Sequence, residues 1–168
     1  CNARQKVIRV KTPPRPAGQS DVLKLRCEPI STVRVGFIGI GSRGLAAVHR
    51  FLSIPGVEIK ALCDLESENL AKARALLVHA KFPAAQEYSS KNGYKEICER
   101  QDIDLIYICT DWLNHTPIAV YAMEHGKHTA IEVPAAVTLE QCWELVNTAE
   151  KTRRHCMMLE NCCYDRLL

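Results

Sequence analysis

Residues 33–44 read VRVGFIGIGSRG, and the architecture of the chain follows from how that run folds. Its first half is β-branched and mostly apolar, the composition of a strand buried on both faces of a parallel sheet. Its second half sets Gly39, Gly41 and Gly44 at G-x-G-x-x-G spacing. Alone that string is weak, but here it follows a strand, opens a helix, and is followed by Asp64 at the end of the next strand. This is the setting in which such a turn binds a dinucleotide. Gly39 permits the tight turn, Gly41 lets the backbone approach a diphosphate, and Gly44 lets the helix pack close to the strand. Amides at the helix N-terminus then face the phosphates, with the helix dipole favouring their negative charge. Ser42 and Arg43 sit in the same turn, where a hydroxyl and a guanidinium add phosphate contacts. Asp64 is expected to accept from the ribose hydroxyls and to repel a 2′-phosphate, which favours NAD over NADP. The alternative is a turn that only packs, with Asp64 capping the helix that begins ESENL.

Outward from this run, helices and strands alternate. IPGVE ends the first helix, whose stripe is Leu45, Val48, Phe51 and Leu52. VEIKALC is a strand, and Leu70, Ala73, Leu76 and Leu77 stripe a second helix. EYSS is a weak strand and GYKEICERQ a short helix. DLIYICT is a strand, TPIAVYAMEHG a helix with Pro117 in its first turn and Gly126 past its end, and KHTAIEV a strand. Leu139, Cys142, Trp143, Val146 and Ala149 stripe the last helix, and HCMMLE closes as a strand. Such alternation implies βαβ units with right-handed crossovers. The expected fold is an α/β, Rossmann-type, doubly wound parallel sheet with helices on both faces. It occupies 33–160, after an extended, solvated N-terminal arm over 1–32 and before a segment, 161–168, that begins a second domain. Ligands bind beyond the carboxyl ends of such strands. That edge carries TDWLNH, where Trp112 can stack on a flat ring and Asn114 or His115 can donate to it or cap a helix, and EVP, Glu132 to Pro134.

Composition narrows the function classes. The 168 residues carry 22 Lys and Arg against 19 Asp and Glu, a net charge of +3. The basic residues are scattered, so no nucleic-acid surface is expected. No apolar run approaches the roughly 18 residues that cross a bilayer. Nine cysteines are an odd number, and no C-x-x-C pair points to zinc or redox work. Cys63, Cys98, Cys109 and Cys142 read as buried thiols. His155, Cys156, Cys162 and Cys163 lie on an extended segment whose neighbours face opposite ways, so no metal is expected. Cys1 at the start, with no Met, suits a processed chain carrying a lipid anchor.

The order VGFIGIGSRG, ALCDLE, DLIYICTDWLNHTPIAVYAMEHGKHTAIEVPAA resembles the nucleotide-binding half of the Gfo/Idh/MocA sugar oxidoreductases. It departs from their pattern twice: Asp111 stands for a Pro, and Val133 stands for the lysine of Glu-Lys-Pro. That lysine helps move the sugar hydroxyl proton while hydride leaves, and valine has no proton to exchange. EVPAA, TDWLNH and MLENCCYD instead resemble glycoside hydrolase family 109, the NAD-dependent α-N-acetylgalactosaminidases, from about Lys11 to Asp165. The resemblance implies a glycan substrate ending in N-acetylgalactosamine and a hydrolase without net redox. Oxidation at C3 acidifies the C2 proton, elimination expels the glycosidic oxygen, water adds, and the hydride returns to carbon.

The resemblance also implies cofactor contacts at Ser42, Arg43, Asp64, Trp112, Leu113, Asn114, His115, Glu132, Val133 and Asn161, in addition to the three glycines. It leaves the catalytic acid and base unassigned, in a domain beyond Leu168, with Tyr164 and His115 the candidates inside this chain. It further implies an exported, periplasmic or cell-surface enzyme, capable of forming a homo-oligomer, although the many unpaired thiols point to the cytoplasm. Two other readings stay open. One is an NAD-dependent sugar dehydrogenase with its acid-base group elsewhere, and the other is a nucleotide-binding module without catalysis.

Overall fold

The computed structural model describes residues 12–160. Cys1, Asn161, Cys162, Cys163, Tyr164 and the segment expected to open a second domain lie outside the described residues. Strands β1 (Val33–Ile38), β2 (Val57–Cys63), β3 (Gln86–Tyr88), β4 (Leu105–Ile108), β5 (His128–Glu132) and β6 (Cys156–Leu159) form one parallel sheet in the order β3-β2-β1-β4-β5-β6. The chain winds outward from β1 to β3, then crosses back to β4 and winds the other way. The doubly wound expectation holds, and β1 and β4 flank the point where the winding reverses.

The alternation of side chains along β1 explains both layers. Val35 and Phe37 point to one face, where Ala47 and Val48 of α1 (Ser42–Phe51) and Leu70, Ala73 and Leu77 of α2 (Ser67–His79) cover them. Ile38 points to the other, packed with Ile97 and Cys98 of α3 (Gly93–Glu99), Ile118, Ala119, Ala122 and Met123 of α4 (Trp112–Glu124), and Leu145 and Ala149 of α5 (Leu139–Thr152). Each large aliphatic side chain buried this way stabilises by about 1.5–3 kcal/mol. At the opposite end of β1 from the glycines, Arg34 grips Asp104 at 2.6 and 2.9 Å. The guanidinium holds that carboxyl below its usual range. The grip ties β1 to the start of β4 and so fixes the register of the two strands whose far ends bear the site.

Two expectations need correction. The helix expected from Thr116 begins at Trp112, so Pro117 lies one turn deeper. The cause is Asp111, whose carboxylate accepts from the Leu113 amide at 3.1 Å and from Asn114 Nδ2 at 2.6 Å. This N-cap starts the helix early, and Pro117 costs it one backbone bond.

The stripe on α5 is rotated from the one expected. Leu145, Thr148 and Ala149 are buried, whereas Leu139, Cys142 and Val146 are exposed. Ala149 belongs to both stripes, and the sheet selected the other one.

Residues 12–32 form the expected arm, mostly exposed and without helix or strand, and it is tied to the domain at several points. Arg15 makes bonds of 3.0–3.2 Å to both oxygens of the buried Glu150. Arg153 donates to the Ser20 and Asp21 carbonyls, and Val22 packs on the α4–α5 core. Trp143, Val146 and Asn147, on the helix edge turned from the sheet, line a cleft of about 300 Å³ with Thr12 to Arg15. Among the described residues, no helix is long and apolar enough to cross a membrane.

Candidate cofactor site

A cleft of about 540 Å³ lies across the carboxyl ends of β1, β2 and β4, at the winding reversal. Gly39 and Gly41 form its floor on one side, Asp64, Leu65 and Glu66 its far wall, and Thr110, Asp111 and Asn114 its near wall. Each glycine of the turn has a distinct surrounding. A Cβ on Gly39, whose φ is +86°, would stand 2.3 Å from the Cys109 carbonyl oxygen, and one on Gly44 would stand 2.1 Å from the Gly39 carbonyl oxygen. Both positions are closed by backbone. A Cβ on Gly41 would meet nothing within 4 Å, because it faces the open cleft.

Gly41 is the N-cap of α1, and α1 has neither a side-chain cap nor an acid in its first turn. Its positive end is therefore left for an external anion. The floor beneath is uncharged: burial pushes the Cys63 thiol up to about 12 and the Cys109 thiol up to about 11, so both stay protonated.

Asp64 reaches in from the end of β2. Its Oδ2 accepts from the Ile40 amide at 2.6 Å, inside the glycine turn. Its Oδ1 accepts from the Glu66 amide at 2.8 Å and from Asn69 Nδ2 at 3.2 Å. One carboxylate thus ties the entry of α2 to the glycine turn and still borders the cleft. Ionised carboxyls have about four acceptor positions, which leaves room for a ribose hydroxyl. The cleft's volume, the open approach over Gly41, the uncapped α1 and this acceptor fit a dinucleotide.

The remaining predicted residues divide. Asn114 lines the cleft, anchored on Asp111. Trp112 and Leu113 stand beside it in the first turn of α4, 63% and 70% exposed. His115 turns inward and is 1% exposed. Its Nδ1 lies 2.8 Å from the Pro134 carbonyl and its Nε2 3.1 Å from the Thr110 carbonyl. It bridges the turns after β4 and β5 and does not face the cleft. Thr116 repeats the link by donating to the Ala135 carbonyl at 2.9 Å.

Glu132, at the tip of β5, is 6% exposed and ion-paired with Arg43 Nε at 3.1 Å. Its other oxygen accepts from the Tyr107 hydroxyl at 2.6 Å. Val133 follows, half-buried, before a cis bond to Pro134. Ser42 is exposed in the first turn of α1.

Sequence reasoning missed Ser90, Lys91 and Tyr94, which line the cleft after β3. The short, weak strand hid the fact that its carboxyl end shares the ligand edge. It also missed Tyr107, a polar-tipped ring in the otherwise aliphatic LIYI.

Comparison with known proteins agrees with this geometry. Residues 33–160 match the family model described as an oxidoreductase family with an NAD-binding Rossmann fold. A Bacteroides fragilis protein named alpha-N-acetylgalactosaminidase is 59% identical over 156 residues, 93% of this chain and 36% of the relative. A glycosyl hydrolase family 109 protein of Bacteroides thetaiotaomicron is 56% identical over 159 residues, 94% of this chain and 34% of the relative. The chain thus spans about a third of the length of these curated relatives. Among solved structures, myo-inositol 2-dehydrogenase from Lactobacillus plantarum superposes with a TM-score of 0.64 at 22% identity, over 76% of this chain and 36% of that one. That likeness concerns the fold. The chain belongs to the oxidoreductase family with the NAD-binding Rossmann fold.

Proposed function

We propose that this chain is the cofactor-holding part of a glycoside hydrolase that cleaves terminal α-N-acetylgalactosaminides with NAD as a resident cofactor. The observation that carries the reading is the 59% identity, over 93% of the chain, to a protein named for that activity.

When bound, NAD supplies a reversible hydride acceptor, which lets a glycosidic bond break by elimination without net oxidation. The chain's own residues hold and orient it. The α1 N-terminus and Gly41 receive the diphosphate, and Asp64 reads the adenosine ribose and disfavours a 2′-phosphate. Asn114 faces the cofactor across the cleft, Arg43 stands in the glycine turn beside the diphosphate, and Glu132 and Val133 flank the nicotinamide side. The acidic and basic groups at these tips are already engaged. Glu132 is held by Arg43 and Tyr107, Asp111 caps α4, and His115 sits between two carbonyls. Valine at 133 adds no proton carrier at the tip of β5.

The test is to incubate the full-length protein with an aryl α-N-acetylgalactosaminide and no added NAD. Release of the aryl alcohol without accumulation of NADH is the expected result. Accumulating NADH, with a free sugar as the substrate, would establish a dehydrogenase instead.

A further inference from the structure

We infer that Tyr107 is a positioning residue for the dinucleotide, acting through Glu132 to fix Arg43 beside the glycine turn. This rests on the cofactor reading above.

Tyr107 sits in the middle of the sheet, 3% exposed, with its ring stacked on Phe37 at 5.0 Å and edge-on to Phe51 at 5.5 Å. A phenylalanine would fill that aromatic cluster equally well. The hydroxyl is costly to bury unless it is bonded, and here it makes a short bond to Glu132. Burial and the adjacent carboxylate push its ionisation far up, so it stays a donor. The rings lock its direction, and the carboxylate it holds is itself buried.

The outer end of this relay is different in kind. The Arg43 side chain is half-exposed, with a relative accessibility of 48%, and it belongs to the first turn of α1 directly after the Gly41 cap. A long guanidinium side chain in that position has many rotamers. Its Nε bond to Glu132 selects one that crosses from the glycine turn to the tip of β5. Phenol, carboxylate and guanidinium therefore carry the rigidity of the core to the rim, beside the diphosphate. Asp64, on the adenosine side, has no part in the relay.

This separation supplies the test. Affinities for NAD+ and for adenosine are measured by calorimetry on the full-length protein and its Tyr107→Phe variant. Adenosine carries the ribose that Asp64 reads and lacks both the diphosphate and the nicotinamide half. The expected result is an NAD+ Kd raised about tenfold, within the span of ordinary coupling effects, with the adenosine Kd unchanged. Equal shifts for both ligands, or no shift for either, overturn the inference. Should Tyr107→Phe fail to fold, Glu132→Gln takes its place under the same two outcomes, because it keeps an acceptor for the phenol and removes the ion pair. Absence of NAD+ binding by the unmutated protein would instead refute the cofactor reading itself.

Discussion

Replacing Gly41 with alanine separates the fold from the site more cleanly than any other single change. Gly41 has φ −60° and ψ −169°, extended backbone open to any residue, and an added Cβ meets no protein atom within 4 Å. Losing glycine at an N-cap costs roughly 0.5–1 kcal/mol, and the smaller entropy of the unfolded alanine chain offsets about 0.4–1 kcal/mol. Net stability therefore changes by less than about 1 kcal/mol, and the melting temperature by less than about 4 °C. Binding responds differently, because the methyl group projects into the space over the first amides of α1. A phosphate oxygen held off by that methyl loses at least one charge-assisted hydrogen bond of about 1.5–3 kcal/mol. That converts to a Kd for NAD+ raised about 10- to 150-fold. Calorimetric titration with NAD+ gives the second quantity, and a ligand-free thermal melt gives the first. A variant that melts like the parent and binds NAD+ within about threefold of it, a difference under 1 kcal/mol, would refute the placement of the diphosphate over Gly41.

Gly44→Ala should behave in the opposite way. Its Cβ would lie 2.1 Å from a backbone oxygen that has no rotamer to yield, so the cost exceeds about 4 kcal/mol and the cooperative melt is lost or shifted strongly downward. Asp64→Asn should weaken NAD+ and spare NADP+, lowering their affinity ratio about tenfold or more as one charge repulsion is removed; competition titrations with the two cofactors read the ratio directly. The third concerns pH. His128 accepts the His155 amide proton on Nδ1 at 3.0 Å, and burial, followed by His155 and Arg154, lowers its pKa. The folded state thus binds fewer protons than the unfolded one. Its contribution is complete above the unfolded value of about 6.5 and declines as pH falls below that toward the folded value. Melting temperatures across this range should fall with acidification, and His128→Gln should flatten the slope.

How much of this could be read from the chain alone varied with the range of the interactions involved. The strand, the glycine turn and Asp64 are local features, each specified by the conformation or burial that its own short segment demands, and they stood where the spacing put them. Asp111 marks the first limit. It read as a departure from a family pattern, yet the structure makes it a helix cap, a role its residue type favours. What hid it was Pro117, which seemed to mark a helix start and in fact sits inside the helix. Trp143 and Val146 mark the second. A helix with two apolar edges has no preferred one until its neighbours are known, and here the sheet took one edge while the N-terminal segment, pinned by Arg15 on Glu150, took part of the other. Tyr107 marks the third. Its aromatic packing was predictable from a strand pattern, whereas its bond to Glu132 requires knowing that β4 and β5 are neighbours in register.

The same limit accounts for Val133. Viewed alone, it is the loss of a proton carrier; in the fold it follows a buried carboxylate already committed to Arg43 and Tyr107, and precedes a turn whose Pro134 and Ala135 carbonyls are held by His115 and Thr116. A tip so fully engaged serves to hold a ligand in one orientation. A group that must give and take protons needs a free lone pair and access to the reacting atom, and neither Glu132 nor His115 has both. These tips are therefore suited to holding a ligand in place, and neither of the two buried groups is placed to exchange a proton with it.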